Sequence, residues 1–367
     1  MLHVTEHRIS HKGMSMIIHR DCRHFRGDIP CKPHKNEGVH CEGCSYYDPI
    51  KERILIIKLG AIGDVIRTTP LLQRLRETYP QSEITWLTLT PEVVPSSVDR
   101  TLRFTLPNMV SLLSDRFDLL INLDKGREAI ALAQRVAAKR KEGFGMDPVT
   151  GKCIPLNERS HHKWTTGLFD DLNRQNTKSY PQEIFEICGF DFKGEKYILD
   201  TEPHAWSIPE PRPLIGLNTG CGGRWTTRLW PVDSWIKLVH LLRSSGKGVM
   251  LMGGDDEHEK NKHISSVTGA AYLGTYPLNK FISLMSQCDL IVTGVTMAMH
   301  IAIGLDKKLV LFNNIFNRNE FELYGLGEII EPPVECKGCF LGSCGKTCME
   351  LITPDEVFAA VQRTMAR

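Results

Sequence analysis

The sequence predicts an α/β protein of two doubly wound halves, each a parallel sheet flanked by helices. Three observations carry that expectation. From residue 53 onward, apolar β-branched runs alternate with helical stretches and no hairpin signal joins them, the pattern of parallel βαβ units. At Asp200–Pro213 the alternation stops in "DTEPHAWSIPEPRP", which holds four of the chain's twenty prolines, and afterwards it restarts. At 367 residues the chain is also too long for one ordinary core.

The elements follow in order. Arg53–Leu59 reads as a buried strand, and Thr69 and Pro70 read as the N-cap and first residue of a helix with Leu71, Leu72 and Leu75 on one face. Glu83–Leu89 and Phe117–Lys125 are further strands; a helix presenting Ala129, Leu132, Ala133 and Val136 follows, and Lys141–Gly145 closes the half. In the second half the strands are "LIGLN", "GVMLM", "AAYLG", "DLIVTG" and "KLVLF", and the intervening helices are Val232–Ser244, Asp256–Ser266, Leu278–Ser286 and Thr296–Leu305. Thr353–Glu356, "TPDE", is a capping box that opens a last helix. Two Rossmann-like halves facing each other across a cleft are the simplest assembly of these parts. The expected domains are a Cys/His-rich segment at 1–50, a first half at 51–199, a linker at 200–213, a second half at 214–335, a Cys-rich segment at 336–350 and the last helix at 351–367.

Composition narrows the function. Hydrophobic residues make up 41% and charged residues 24%, as in globular proteins, and 45 Lys and Arg against 43 acids leave a net charge of +2. That balance argues against nucleic acid as the main partner. The N-terminus lacks a signal peptide's apolar core, and no window approaches the roughly 20 apolar residues of a membrane span. A cytoplasmic protein is expected, at most touching a membrane surface from that side.

The stretch "ILIIKLGAIGDVIRTTPLL" places Asp64 in a glycine turn between a strand end and a helix. Such an aspartate either caps the helix or projects into the crevice where open parallel sheets bind ligands. Two other motifs fail. "GSCGKT" (Gly342–Thr347) ends like a phosphate-binding loop, but Phe340 stands where the first glycine is required, and no strand precedes it. The Gly-x-x-Gly of "KLGAIGDV" lacks dinucleotide spacing, which disfavours a nicotinamide enzyme and a nucleotide-sugar epimerase.

Four segments together carry a resemblance. "RILIIKLGAIGDVIRTTPLLQRLRETYP", "GCGGRWTTRLWPVDSWIKLVHLL", "LMGGDDEHE" and "CDLIVTGVTMAMHIAIGLDKKLVLF" occur in the order of the family 9 glycosyltransferases, the bacterial heptosyltransferases, and the similarity spans residues 53–365. The resemblance implies a GT-B fold, with the acceptor site in the first Rossmann-like domain and the nucleotide-sugar site in the second. It also implies that the last helix packs back on the first domain. The implied reaction is an inverting transfer without catalytic metal, from a donor such as ADP-heptose to a lipopolysaccharide-core, other cell-envelope or protein acceptor.

Within that frame Asp64 becomes the general base for the acceptor hydroxyl, with Lys58 and Gly63 beside it on the acceptor side. Arg228, just before Trp-Pro, is positioned to hold the leaving diphosphate bidentately. Thr296 and Met297 open a helix whose free N–H groups suit phosphate, while Thr219, Thr226, Asp255, Glu257 and His300 are the remaining donor-side candidates. One departure stands out: where the family commonly has Asp-Thr-Gly-Pro-Met-His, this chain has Val295, Thr296, Met297, Ala298, Met299 and His300. Valine cannot accept hydrogen bonds from sugar hydroxyls, so a different sugar, or a non-catalytic nucleotide-sugar-binding or scaffold protein on the same fold, is the competing reading.

Eight of the twelve cysteines cluster, as Cys22, Cys31, Cys41 and Cys44 and as Cys336, Cys339, Cys344 and Cys348. In a cytosolic chain such clusters read as structural metal sites, for zinc first and iron or an iron–sulfur centre second. Similar C-terminal cysteine segments hold iron in autotransporter heptosyltransferases of the family.

Overall fold

The computed structural model describes residues 6–11, 14–223 and 225–367. A hairpin of β1 (Glu6–His11) and β2 (Met14–His19) precedes the expected alternation. The first large sheet comprises β3 (Glu52–Ile57), β4 (Ser82–Thr88), β5 (Arg100–Arg103), β6 (Arg116–Asn122), β7 (Ala137–Met146) and β8 (Cys153–Pro155) in the order β5-β4-β3-β6-β7-β8. All its pairings are parallel except that of β7 with β8. The second comprises β9 (Leu214–Asn218), β10 (Gly248–Met252), β11 (Ala271–Tyr272), β12 (Leu290–Gly294), β13 (Lys308–Phe312) and β14 (Gly327–Ile330), all parallel, in the order β11-β10-β9-β12-β13-β14.

The strand sequences explain this layering. Ile54, Leu55, Ile56 and Ile57 are all fully buried, because helices cover both faces and an unbroken aliphatic run finds apolar surroundings on each side. The same holds for Leu214–Asn218 and Gly248–Met252, buried along their whole length. In each sheet the strand order reverses once, between β3 and β6 and between β9 and β12. Those two reversals open crevices beyond the C-terminal strand ends, the places where such sheets take ligands.

The halves touch through buried contacts. Asn317 Nδ2 of the second half donates to the carbonyls of Asn173 and Asn176 of the first at 2.6 and 2.7 Å. One continuous apolar core includes Ile56, Val65 and Leu71 from the first half and Met252, Ala298 and Ile301 from the second.

Several expectations are corrected. The last helix, Pro354–Ala366, does not pack on the first half. Val357, Ala360 and Val361 bury against Trp230, Trp235 and Phe312 of the second, Trp230 Nε1 donates to the Ile352 carbonyl at 2.9 Å, and Lys308 Nζ reaches the Met365 carbonyl. Its apolar stripe finds the nearer surface, the helix Val232–Ser244 and the β13–β14 edge. The helix expected from Thr69 begins at Leu71, and a separate short helix, Ile62–Ile66, precedes it and carries Asp64. Thr353 caps the last helix, accepting the Glu356 amide on Oγ1 at 3.2 Å, but among the described residues the Glu356 side chain does not return the bond that would complete the expected capping box.

Candidate active site

A cleft of about 890 Å³ lies between the two crevices. Its first wall is the turn after β3 and the helix Ile62–Ile66. Asp64 occupies the third position of that helix, and Oδ2 accepts the Ala61 amide at 3.3 Å. Asp64 is therefore a cap and a cleft residue at once. Oδ1 is held by Arg67 at 2.8 Å, and Lys58 Nζ lies 3.9 Å from Oδ2. Burial alone would raise the Asp64 carboxyl pKa, but the charges of Arg67 and Lys58 outweigh it and draw the group down to about 2.

Arg67 spreads over the Tyr180 ring at 3.5 Å from the centroid, which fixes the guanidinium against the carboxylate. Lys58 is buried, bonds Asp124 and donates to the Gly60 carbonyl at 3.1 Å, so it braces the turn from beneath without lining the cleft. Gly63 is required for a steric reason. A Cβ there would stand 2.3 Å from the His300 ring, which closes on the turn from the second half.

The second wall consists of the loops after β9, β10 and β12. Arg228 ends a 3-10 turn, Thr226–Arg228, and among the described residues its guanidinium bonds only carbonyls: Nε to Trp225 at 3.2 Å, Nη2 to Cys221 at 2.7 Å and Nη1 to Val295. The Phe316 ring lies beneath it at 5.4 Å. Among the described residues no carboxylate forms an ion pair with Arg228, and burial lowers its pKa from the usual arginine value. Thr296 caps the helix Met297–Gly304 by accepting the Ala298 amide at 3.1 Å, and both Thr296 and Met297 line the cleft. His300 lines it too, buried, with Nδ1 unbonded among the described residues; burial and the Arg67 charge lower its pKa to about 3, so it is a neutral imidazole.

Asp255 and Glu257 also reach the cleft, in different ways. Asp255 is exposed. Glu257 is buried, accepts the Gly254 amide at 2.9 Å, and packs where a Cβ on Gly220 or Gly253 would sit. Two expected donor residues lie elsewhere. Thr219 is buried, and its hydroxyl donates to Asn261 Oδ1 at 2.6 Å. Thr226 lines a different cavity, beside Ser343 and Lys346. Sequence reasoning missed Arg67, although its i,i+3 spacing from Asp64 was a usable signal, and it missed Asn218, Trp225, Phe316 and Glu320 on the cleft surface.

The two cysteine clusters differ in their surroundings. Cys22, Cys31, Cys41 and Cys44 line one cavity of about 200 Å³ with His24, His34 and His40, but His34 Nδ1 already pairs with the Val39 carbonyl at 2.9 Å. In the second cluster Cys336 and Cys344 are exposed on an open loop. Among the described residues no three His, Cys, Asp or Glu side chains are placed to hold an ion. The thiols surround a cavity at one end and lie along a loop at the other.

Two parallel sheets facing each other, with a carboxylate at one strand-order reversal and an unneutralised arginine at the other, make up a GT-B fold, an architecture of glycosyl transfer. The model of glycosyltransferase family 9 (heptosyltransferase) matches residues 109–314. The lipopolysaccharide core heptosyltransferase OpsX of Haemophilus influenzae is 29% identical over 271 residues, covering 68% of this chain and 75% of that protein. Among solved structures, Escherichia coli ADP-heptose lipopolysaccharide heptosyltransferase II aligns with a TM-score of 0.63 at 17% identity, over 86% of this chain and 98% of that one. The dodecameric, iron-containing heptosyltransferase TibC, solved with ADP-D-beta-D-heptose, aligns with a TM-score of 0.54 at 14% identity, over 86% and 76%. The chain belongs to glycosyltransferase family 9 and is a glycosyltransferase.

Proposed function

We propose that this enzyme transfers heptose or a related sugar, with inversion, from an ADP-sugar-like donor to an acceptor of the lipopolysaccharide core, another envelope glycan or a protein. The observation that carries the reading is the pairing of Asp64 with Arg228 across one cleft. The donor diphosphate lies against Arg228 and the first turn of the helix at Met297, with ribose hydroxyls toward Asp255. The acceptor hydroxyl approaches Asp64, attacks the anomeric carbon as the diphosphate departs from the opposite face, and passes its proton to the carboxylate. A carboxylate near pKa 2 is a weak base for a free alcohol. It takes the proton only as the C–O bond forms and the hydroxyl becomes acidic. Relatives named for ADP-heptose and for lipopolysaccharide support the donor and acceptor classes.

Asp64→Asn keeps the shape of the turn and removes the base. It should bind ADP as the parent does and turn over roughly 10²-fold more slowly. Near-parental turnover would reduce Asp64 to a cap. The competing reading, a non-catalytic nucleotide-sugar binder, draws on Val295, whose side chain lines the cleft where the family commonly has aspartate. Donor hydrolysis or transfer by the parent protein excludes it.

Among the described helices none is long and apolar enough to cross a membrane, and a cytoplasmic enzyme working at the inner membrane surface fits an envelope acceptor. A structural zinc or iron belongs to the same proposal. Between residues 16 and 50 only Pro33 is buried, so hydrophobic burial alone does not hold that segment together. Elemental analysis should find metal that chelators remove with a fall in Tm; metal-free protein with unchanged Tm would refute it.

A further inference from the structure

The loop between β13 and β14 reaches the cleft at Phe316, Glu320 and Phe321. Its backbone is firmly held. Besides the two bonds from Asn317 to the first half, Asn319 Nδ2 donates to the Asn176 carbonyl at 3.1 Å. Asn317 Oδ1 accepts the Asn319 amide at 3.0 Å and so caps the 3-10 turn Arg318–Glu320. Glu320 therefore stands on a mount fixed by its neighbours, and its own side chain takes no part in the fixing.

The other acids of the cleft are accounted for. Asp64 is held by Arg67, Glu257 accepts the Gly254 amide, and Asp255 and Asp256 are exposed to water. Glu320 is partly buried, and among the described residues its carboxylate forms no hydrogen bond and no ion pair. Its charge is nevertheless felt at Arg67. Burial works to lower the Arg67 pKa, but Asp64 first, and then Tyr180 and Glu320, raise it above the usual arginine value. At the other end of the same loop segment the Phe316 ring lies 5.4 Å from the Arg228 guanidinium. Residues 316–321 thus run from the diphosphate arginine to the Asp64–Arg67 pair.

An unanswered carboxylate in this place opposes the capture of a diphosphate, because like charges repel. It suits a neutral ligand rich in O–H donors. A carboxylate accepts charge-assisted bonds from neighbouring hydroxyls, and the rings of Phe316 and Phe321 offer apolar surface to the C–H face of a sugar. The Val295 side chain, on the same cleft, offers no acceptor at all.

We propose that Glu320 binds hydroxyls of the transferred sugar and holds its ring between Asp64 and the departing diphosphate. The inference rests on the reading of Arg228 as the diphosphate residue, and it adds the group that recognises the sugar.

Calorimetric titration of the full chain and of Glu320→Gln with ADP, ADP-heptose and ADP-glucose tests it. Glutamine keeps the length of the side chain and removes its charge. The parent should bind at least one of the ADP-sugars, and Glu320→Gln should bind that one more weakly by roughly 10-fold or more. ADP, which lacks the sugar, should bind the variant at least as tightly as the parent, because a like charge has left the cleft. The Tm should not fall, since the carboxylate has no partner to lose. An unchanged ADP-sugar affinity would overturn the proposal, as would a parent that binds ADP but neither ADP-sugar. A parallel loss of ADP and ADP-sugar binding, or a lower Tm, would also overturn it and reduce Glu320 to a structural part of the loop. If the parent binds neither ADP nor an ADP-sugar, the donor reading itself fails and this inference falls with it.

Discussion

The two walls of the cleft handle charge in opposite ways. On the first, the cations beside Asp64 are already answered: Arg67 holds Asp64, and Lys58 is shared between Asp64 and Asp124. On the second, Arg228 meets, among the described residues, only carbonyl oxygens and an aromatic face. A wall whose ions are satisfied is rigid and keeps its geometry whatever occupies the cleft. A wall with a spare cation is incomplete until an anion arrives. The contrast assigns positioning of the acceptor to the first wall and capture of the leaving group to the second.

The largest effect should come from removing the spare charge. Arg228→Ala leaves only the helix N-terminus at Met297 aimed at the developing diphosphate charge and should cost on the order of 10²–10³ in turnover, together with weaker ADP binding. Steady-state kinetics and calorimetry with ADP check both. If both survive, Arg228 merely ties the loop to the Val295 and Cys221 carbonyls, and the contrast between the walls collapses.

A smaller effect is expected where the walls meet. Gly63→Val would drive two methyl groups into the His300 ring, which already leaves only 2.3 Å for a Cβ. Overpacking of this kind costs about 1–3 kcal/mol, and here relief requires the halves to part. Denaturant unfolding should report the loss, and ADP affinity should fall with it. An unchanged stability would mean that the two halves are not held by this contact.

Much of this arrangement was legible in the sequence. The aliphatic run Ile54–Ile57 and its counterparts in the second half announce buried parallel strands because nothing in them is polar enough to face water. Asp64 was visible because it follows such a strand in a glycine turn, and Arg228 was visible only through the resemblance, at the family's basic position before Trp-Pro. Short edge strands such as Arg100–Arg103 and Gly327–Ile330 were not, since four residues with charged members carry no period of their own. The docking of Pro354–Ala366 was misread for another reason. Val357, Ala360 and Val361 announce an apolar stripe without saying which sheet will cover it.

The smallest effect concerns His300 and follows from its burial. Its folded pKa of about 3 lies below the unfolded value near 6.5. Above pH 6.5 both states carry neutral imidazole, and His300 costs the fold nothing. As pH falls from 6.5 toward 3 the unfolded chain gains a proton that the folded protein refuses, so stability drops across that window and levels off below it. At pH 5 the loss comes to about 2 kcal/mol. Asp64 acts in the same sense but later, because its contribution, present above pH 3.8, is lost only as pH falls toward 2. The two windows therefore separate. Unfolding free energies at pH 7.5 and pH 5.0 should differ by about 2 kcal/mol more in the parent than in His300→Gln, where no imidazole titrates. The remaining histidines contribute equally to both proteins and cancel. Parallel pH dependences would mean that His300 is protonated within the fold, with its Nδ1 bonded and the cleft carrying one more positive charge beside Asp64 than the buried neutral ring allows.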